Sequence, residues 1–171
     1  MRFITILLIG ITFVGCGQSE VKKSYLTVSE INICMDEIDS DKSLMEEFSD
    51  GVILYDGFNV DFSNYKLYDN ETQELNMLTH TEYSDTTLSF TFYYKEGSVI
   101  FAKAEKILRN SDKYSHEQKV YYSSGNVIFQ TNENRFNFDL HELGLRHLKS
   151  HREEFEQIKK NGIQNPNLFS K

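Results

Sequence analysis

One stretch of nine residues occurs twice in this chain, and this repetition restricts the possible folds more than any other feature. Residues 93–101 and 121–129 lie 28 positions apart and are identical at six of the nine positions. Each copy carries a Gly in its middle, and Gly adopts the positive φ that a tight hairpin turn requires. Both copies therefore predict a β-hairpin, and we interpret them as two hairpins with the same packing rather than as a ligand-reading repeat.

A further hairpin is predicted earlier in the chain, at Tyr55-Asp56-Gly57-Phe58, where Asp-Gly is the most typical two-residue turn of the three. Because side chains alternate across a sheet, each hairpin presents two faces. We expect one face of the two repeated hairpins to form the main core, made of Leu88, Phe90, Phe92, Tyr94, Val99, Phe101, Val120, Tyr122, Val127 and Phe129.

The opposite face of the repeated hairpins carries an apolar patch within polar surroundings. It consists of Tyr93 and Ile100 from one hairpin and of Tyr121 and Ile128 from the other. An exposed apolar patch of this kind requires a cover or a partner. These four residues are therefore the predicted binding face, unless a C-terminal helix covers them.

Two helices are predicted outside the hairpins. The longer one spans Leu140–Lys160, with Asp139 placed to cap its start, Glu142 three residues later and Gly162 just beyond its end. A shorter N-terminal helix is predicted over residues 41–48, after Ser40. For residues 31–38 the apolar pattern is compatible with a strand or a helix.

The predicted fold class is α+β: a single curved antiparallel β-meander built of hairpins, with the C-terminal helix and the short N-terminal helix packed on it. The only Pro is at position 166, and no second domain boundary is visible in the sequence. We therefore expect one α+β domain over residues 26–171.

The first residues of the chain have the order of a bacterial export signal. Met1 and Arg2 are followed by twelve uncharged, mostly apolar residues, then by Gly15 and Cys16. The apolar run is shorter than the about 20 residues that a membrane-spanning helix needs. Residues 1–15 are therefore predicted to be a cleaved signal peptide.

The end of this segment, Phe13-Val14-Gly15-Cys16, resembles the lipobox of bacterial lipoproteins. The family prefers Leu where this chain has Phe13, and a bulky residue there is tolerated in Bacteroidota-like bacteria. The resemblance implies lipidation of Cys16, a polar tether over residues 16–25 and a place in the cell envelope, on the outer or the inner membrane. The alternative is an ordinary secretory leader followed by a chance cysteine.

Lipidation of Cys16 would leave Cys34 without a partner in the chain, since there are only two cysteines. We expect Cys34 to be a buried small hydrophobe rather than a reactive thiol. Removal of the leader leaves 17 basic and 26 acidic residues, a formal net charge of −9. Such an acidic chain does not suit nucleic acid or anionic lipid headgroups, so we exclude nucleic acid as a partner.

Motifs of enzyme chemistry are largely missing from the sequence. There is no Gly-rich phosphate loop and no Gly-x-Ser-x-Gly, and His141-Glu142 is not a zinc-protease motif because Leu145 stands where the second His is needed. His147 and His151 lie one helical turn apart on the apolar stripe of the C-terminal helix, with Glu154 at its margin. We interpret them as packing residues, and a zinc or catalytic site is the alternative.

The sequence therefore predicts a non-enzymatic envelope lipoprotein that acts as a binding or interaction module, with no cofactor. Its expected partners are the membrane, through the lipid anchor, and another envelope protein. Two alternatives stay open: a metal-assisted hydrolase that uses the His147 and His151 pair, and a lipid or lipoprotein carrier. The carrier would need a large apolar cavity inside the sheet.

Overall fold

A computed structural model of the chain describes residues 25–55, 57–108, 114–131 and 136–161. These residues form two helices, α1 (Val28–Ser40) and α2 (Leu140–Lys160), with all the strands between them. The strands are β1 (Met45–Tyr55), β2 (Phe58–Tyr68), β3 (Leu75–Tyr83), β4 (Thr86–Lys95), β5 (Ser98–Leu108), β6 (Tyr114–Ser123) and β7 (Asn126–Gln130). The predicted signal peptide, Cys16 and residues 17–24 of the tether lie outside the described residues, as do Asp56 and Gly162.

The seven described strands form one antiparallel sheet in which each strand pairs with its neighbours in the sequence. This order leaves β1 at one edge of the open sheet and β7 at the other. The predicted α+β meander with an N-terminal and a C-terminal helix is confirmed. Neither described helix is both long enough and apolar enough to span a bilayer.

All three predicted hairpins are present. Gly57, Gly97 and Gly125 have φ of 86°, 70° and 79°, and the residues before the last two, Glu96 and Ser124, have φ of 50° and 51°. Two successive residues with positive φ match the twist of the flanking strands. The repeated nonapeptide therefore encodes the same turn twice.

Each repeated hairpin also contains a β-bulge, which makes part of the predicted face assignment wrong. In the first, Tyr93 pairs with Phe101 but Tyr94 pairs with Val99, so Ile100 is an extra residue. The bulge reverses the alternation beyond it, and Phe101 lies on the side of Tyr93 instead of that of Phe92.

The second repeat has the same bulge, between Tyr121 and Tyr122. Phe129 consequently packs edge-on against the ring of Tyr121, with centroids 5.8 Å apart. The prediction that Phe129 belongs to the main core face is therefore wrong. Val127 pairs with Tyr122 but lies at the sheet edge and is exposed.

Helix α1 occupies the segment for which the sequence left strand and helix open. Thr27 caps its start in a capping box: its hydroxyl accepts from the Glu30 amide, and the Glu30 carboxylate accepts from the Thr27 amide. The helix predicted over residues 41–48 is wrong, because the chain from Met45 onward is strand β1. Pairing of β1 with β2 along its whole length overrides the local helical pattern.

Helix α2 has the predicted bounds, and the Asp139 side chain accepts from the Glu142 amide at 3.0 Å. It crosses one side of the sheet from β6, where His141 contacts Tyr122, to β2, where Glu154 bonds Lys66. We call this the α2 side; its core consists of Tyr68, Leu75, Leu78, Phe90, Phe92, Tyr94, Val99, Ala102, Ala104, Val120, Tyr122, Phe136, Leu140 and Leu148.

A glycine allows α2 to lie close to this sheet. A Cβ atom on Gly144 would lie 2.8 Å from Phe92 Cδ1 and 2.9 Å from Val99 Cγ2. The Tyr94 hydroxyl donates a hydrogen bond to the Gly144 carbonyl at 3.1 Å. The helix backbone thus rests directly on the strands.

The other side of the sheet, the α1 side, is covered by α1. Ile31 and Ile38 form a second core with strand residues, and Cys34 is half-buried against it. The C-terminal helix, which the sequence offered as a possible cover for this face, lies on the α2 side instead. The strands contribute Leu67, Met77, Tyr93, Ile100 and Phe101 to this core.

Candidate functional site

The histidines predicted on the C-terminal helix face a polar cleft between α2 and strands β1 to β3. His147, His151 and Glu154 line a cavity of about 250 Å³ together with Asn64 and Lys66 of β2. The structure therefore brings the three predicted residues together. It also adds strand residues that the sequence analysis missed.

Lys66 forms two ion pairs at this cleft. Its ammonium donates to Glu47 at 2.7 Å and to Glu154 at 2.9 Å, and the lysine side chain is only 10% exposed. Burial lowers the pKa of Lys66, but the hydrogen bonds to Glu154 and Glu47 outweigh this effect and raise it. Glu154 thus neutralises a buried lysine and links α2 to β2.

His80, on β3, is a third histidine and lies beside the cleft, in contact with two of its lining residues, Asn64 and His147. One ring nitrogen lies 2.7 Å from Asn64 Oδ1 and the other 3.2 Å from a Glu82 oxygen. Its ring centroid is 5.1 Å from that of His147. The sequence could have indicated this position, because strand alternation places His80 on the same side of β3 as the buried Leu78.

Burial keeps His147 and His151 uncharged near neutral pH. The pKa of His147 is lowered to about 4 by burial and by the nearby charges of His80, Arg146 and Lys66. The pKa of His151 is also lowered, by burial and by Lys66. His151 Nε2 lies 3.2 Å from the carbonyl oxygen of Gln73, so this nitrogen carries the proton.

Among the described residues, one ring nitrogen of His147 and one of His151 have no hydrogen-bond partner. They are Nε2 of His147 and Nδ1 of His151, and both atoms are sealed from solvent. A metal ion or a substrate would reach these nitrogens only if α2 moved away from the sheet. Both rings instead pack on aromatic neighbours, His147 on Phe92 and His151 on Tyr68.

The described residues give little support to metal chemistry in this cleft. Among them, no group of three or more His, Cys, Asp and Glu side chains is placed to hold a metal ion. The carboxylate of Glu154, which the hydrolase hypothesis requires as a ligand, is bound to Lys66. The geometry favours the interpretation of His147 and His151 as packing residues.

A second cavity, of about 450 Å³, lies between the C-terminal half of α2 and the turns before β3 and β5. Its lining combines Leu148 and Phe155 with the charged residues Glu74, Arg152 and Glu156. Charged walls are costly against an acyl chain. Neither cavity has the apolar lining that a lipid carrier would need.

The predicted binding face is largely covered. Tyr93 and Ile100 are 8% and 4% exposed in the core beneath α1, and Tyr121 packs at the margin of that core. The Tyr93 hydroxyl donates to both carboxylate oxygens of Asp39 at 2.9 Å. Burial raises the pKa of Tyr93, and the Asp39 carboxylate raises it further. Only Ile128, which is 41% exposed, remains on the surface.

Four large apolar side chains are more than half exposed at another place, the β1–β2 hairpin. Phe48, Val52, Leu54 and Phe58 are 69%, 59%, 69% and 74% exposed, and we call these four residues the apolar ribbon. The last pair between β2 and β3 is Asp61 with Tyr83, so the tip of the hairpin projects as a two-stranded ribbon. The sequence could have indicated this surface, because apolar residues occur on both faces of this hairpin.

The apolar ribbon points away from the start of the described chain. The Leu26 amide donates to the Ser123 hydroxyl at 2.7 Å, which fixes the N-terminal segment at the β6–β7 turn. The tip of the β1–β2 hairpin lies at the opposite end of the strands. At about 3.3 Å per residue, the two ends are about 30 Å apart.

Compared with protein-family models, with curated proteins and with solved structures, the chain gives no significant match. The geometry of its own residues is therefore the basis for a functional assignment.

Proposed function

We propose that this chain is a lipid-anchored, non-enzymatic interaction module of a bacterial cell envelope, and that it binds another envelope protein through the apolar ribbon. The observation that carries this proposal is the exposure of Phe48, Val52, Leu54 and Phe58, which are all more than half exposed. Soluble proteins rarely expose several large apolar side chains next to one another, and such patches mark interaction sites. The resemblance of Phe13-Val14-Gly15-Cys16 to a lipobox supports the anchor.

The position of the apolar ribbon suits a tethered protein. With a lipid on Cys16, the tether enters the domain beside Ser123, and the ribbon is displayed at the far end of the sheet. Acidic residues Asp50 and Asp61 flank the ribbon, which disfavours contact with anionic lipid headgroups. A protein partner therefore suits the ribbon better than the membrane surface.

The anchor is tested by exchanging the two cysteines separately. We expect the Cys16→Ser variant to be released from the membrane fraction, because the lipid would be attached through this thiol. The Cys34→Ser variant should remain in the membrane fraction and retain an acylated N-terminus in intact-mass spectrometry. Fractionation of the full-length chain in a lipoprotein-processing host measures both. Membrane retention of Cys16→Ser at the level of the unmodified chain would contradict lipidation.

The interaction is tested by affinity capture from detergent-solubilised envelopes with a ribbon variant, Leu54→Ser/Phe58→Ser. We expect one protein to be recovered about tenfold less by this variant, because exposed apolar residues in the centre of an interface contribute most of the binding free energy. Quantitative mass spectrometry compares the recovered proteins.

A matched control is the Ile33→Ser/Val127→Ser variant. These two residues are 55% and 54% exposed and lie on α1 and β7, away from the apolar ribbon. The control should recover the same protein in the same amount as the unmodified chain. If no recovered protein depends on Leu54 and Phe58, the proposed function is wrong.

A further inference from the structure

The first relevant feature is the open edge of β1. Among the described residues β1 pairs with β2 alone, through all eleven of its residues and without a register shift. The opposite edge strand, β7, has five residues and a bulge. Natural sheets protect their edges with short strands, bulges, Pro or charged side chains. Strand β1 is long and has no bulge with β2 and no Pro, and all its charged side chains are acidic. A long, regular edge presents a row of backbone groups for a further strand.

The second feature is the pattern of side chains along this edge. Strand alternation places Glu46, Phe48, Asp50, Val52 and Leu54 on one side of β1, and all five are exposed. Carboxylates and apolar groups follow one another at every second residue. There is no Lys or Arg on β1. A complementary strand would carry apolar side chains that pack on Phe48 and Val52, and basic side chains opposite the carboxylates.

We propose that β1 accepts an extended segment of the partner protein as an eighth strand, and that one face of this segment carries apolar and basic side chains in turn, at every second residue. The inference rests on the proposed function, since it specifies how the partner engages the apolar ribbon. Backbone hydrogen bonds to β1 give affinity, and Glu46 and Asp50 select a cationic strand.

A second copy of this chain is a poorer occupant. Pairing β1 with another β1 brings Glu46 and Asp50 of both copies into one two-stranded ladder that contains no Lys or Arg. Like charges across a ladder are destabilising. The formal net charge of −8 on each chain adds to the repulsion.

The test uses a capped, fluorescent peptide of about nine residues, enough to span most of β1. Every second residue is Val or Lys in turn, so that both lie on one face of the strand, and the residues between them are Thr. Fluorescence anisotropy at low ionic strength should show saturable binding. A peptide with Glu in place of Lys should bind about tenfold more weakly. A peptide with the same composition but with its Val and Lys in two blocks should also bind about tenfold more weakly, because it cannot place Lys opposite Glu46 and Asp50 and Val beside Phe48 and Val52 at the same time.

Strand addition is separated from simple charge attraction by N-methylation. Alternate residues of a strand direct their amides to the same edge. We therefore expect methylation of all Thr amides, or of all Val and Lys amides, to abolish binding, and the other pattern to preserve it. Equal binding of the two methylated peptides would overturn strand addition, and the capture result with Leu54→Ser/Phe58→Ser would still decide the proposed function independently.

A protein variant locates the site on β1. Asp50→Lys should weaken binding of the Val-Lys peptide about tenfold. The control Glu153→Lys makes the same charge change on an exposed position of α2 and should leave binding unchanged. Equal effects of the two variants would contradict binding at β1. A stable dimer of the unmodified domain in sedimentation that Leu54→Ser dissociates would assign the edge to a second copy and overturn the proposal.

Discussion

Replacement of Phe92 by Ala is expected to lower the free energy of unfolding by about 3–5 kcal/mol. The side chain is fully buried at 0% exposure, between the sheet and helix α2. The close approach of Gly144 to this ring, where a Cβ atom would come within 2.8 Å, shows that the helix backbone rests on it. A cavity between two regular elements collapses little, because their hydrogen-bonded backbones resist movement. Urea unfolding followed by circular dichroism measures the loss.

The matched control is Phe58→Ala, which removes the same atoms from the most exposed residue of the apolar ribbon. Phe58 is 74% exposed, so we expect a change within about 0.5 kcal/mol. The comparison separates the loss of stability caused by removing a buried ring from any general effect of replacing Phe by Ala. A similar loss for both variants would show that α2 does not depend on Phe92 or that the ribbon is covered within the isolated domain.

The hairpins and α2 could be predicted because their signals are local. A Gly with positive φ between apolar flanks is sufficient for each turn, and Asp139 capping the Glu142 amide is sufficient for the start of α2. Such signals depend only on residues a few positions apart. These local signals predicted the order of the strands and helices, and strands joined by tight hairpin turns form a meander.

The assignment of residues to faces failed where one extra residue changed the alternation. Phe101 and Phe129 follow bulges at Ile100 and Ile128, and a bulge has no strong local signal in these nonapeptides. A one-residue shift moves every later side chain to the other face.

The candidate site was predicted only on its helical half. His147, His151 and Glu154 are one turn apart, so helical periodicity brings them together. Their partners Lys66 and His80 come from β2 and β3, at least 67 positions away from His147, and only the tertiary fold places them there. The apolar ribbon was missed for a similar reason, because β3 ends before the tip of the β1–β2 hairpin.

The burial of His147 predicts a strong dependence of stability on pH. Its pKa is about 4 in the folded chain and near 6.5 when unfolded, so between these values only the unfolded chain binds a proton. The stabilisation is complete above pH 6.5 and is lost progressively as the pH falls towards 4. The difference in pKa corresponds to about 3 kcal/mol. His151, whose pKa is also lowered, adds a loss of the same sign.

We therefore expect His147→Met to flatten the dependence on pH. Met is of similar size and does not titrate, so the variant should lose about 2–3 kcal/mol less than the unmodified chain between pH 7 and pH 4.5. Leu148→Met, a change at a buried neighbour on the same helix, controls for altered packing and should keep the full dependence. Urea unfolding at the two pH values gives both differences. Equal slopes for His147→Met and the unmodified chain would mean that His147 is protonated within the fold, and that the cleft between α2 and β3 admits water and charge. In that case His147 would be charged within the fold. The argument that a neutral, buried imidazole disfavours catalysis in this cleft would fail, and the hydrolase hypothesis would again be supported.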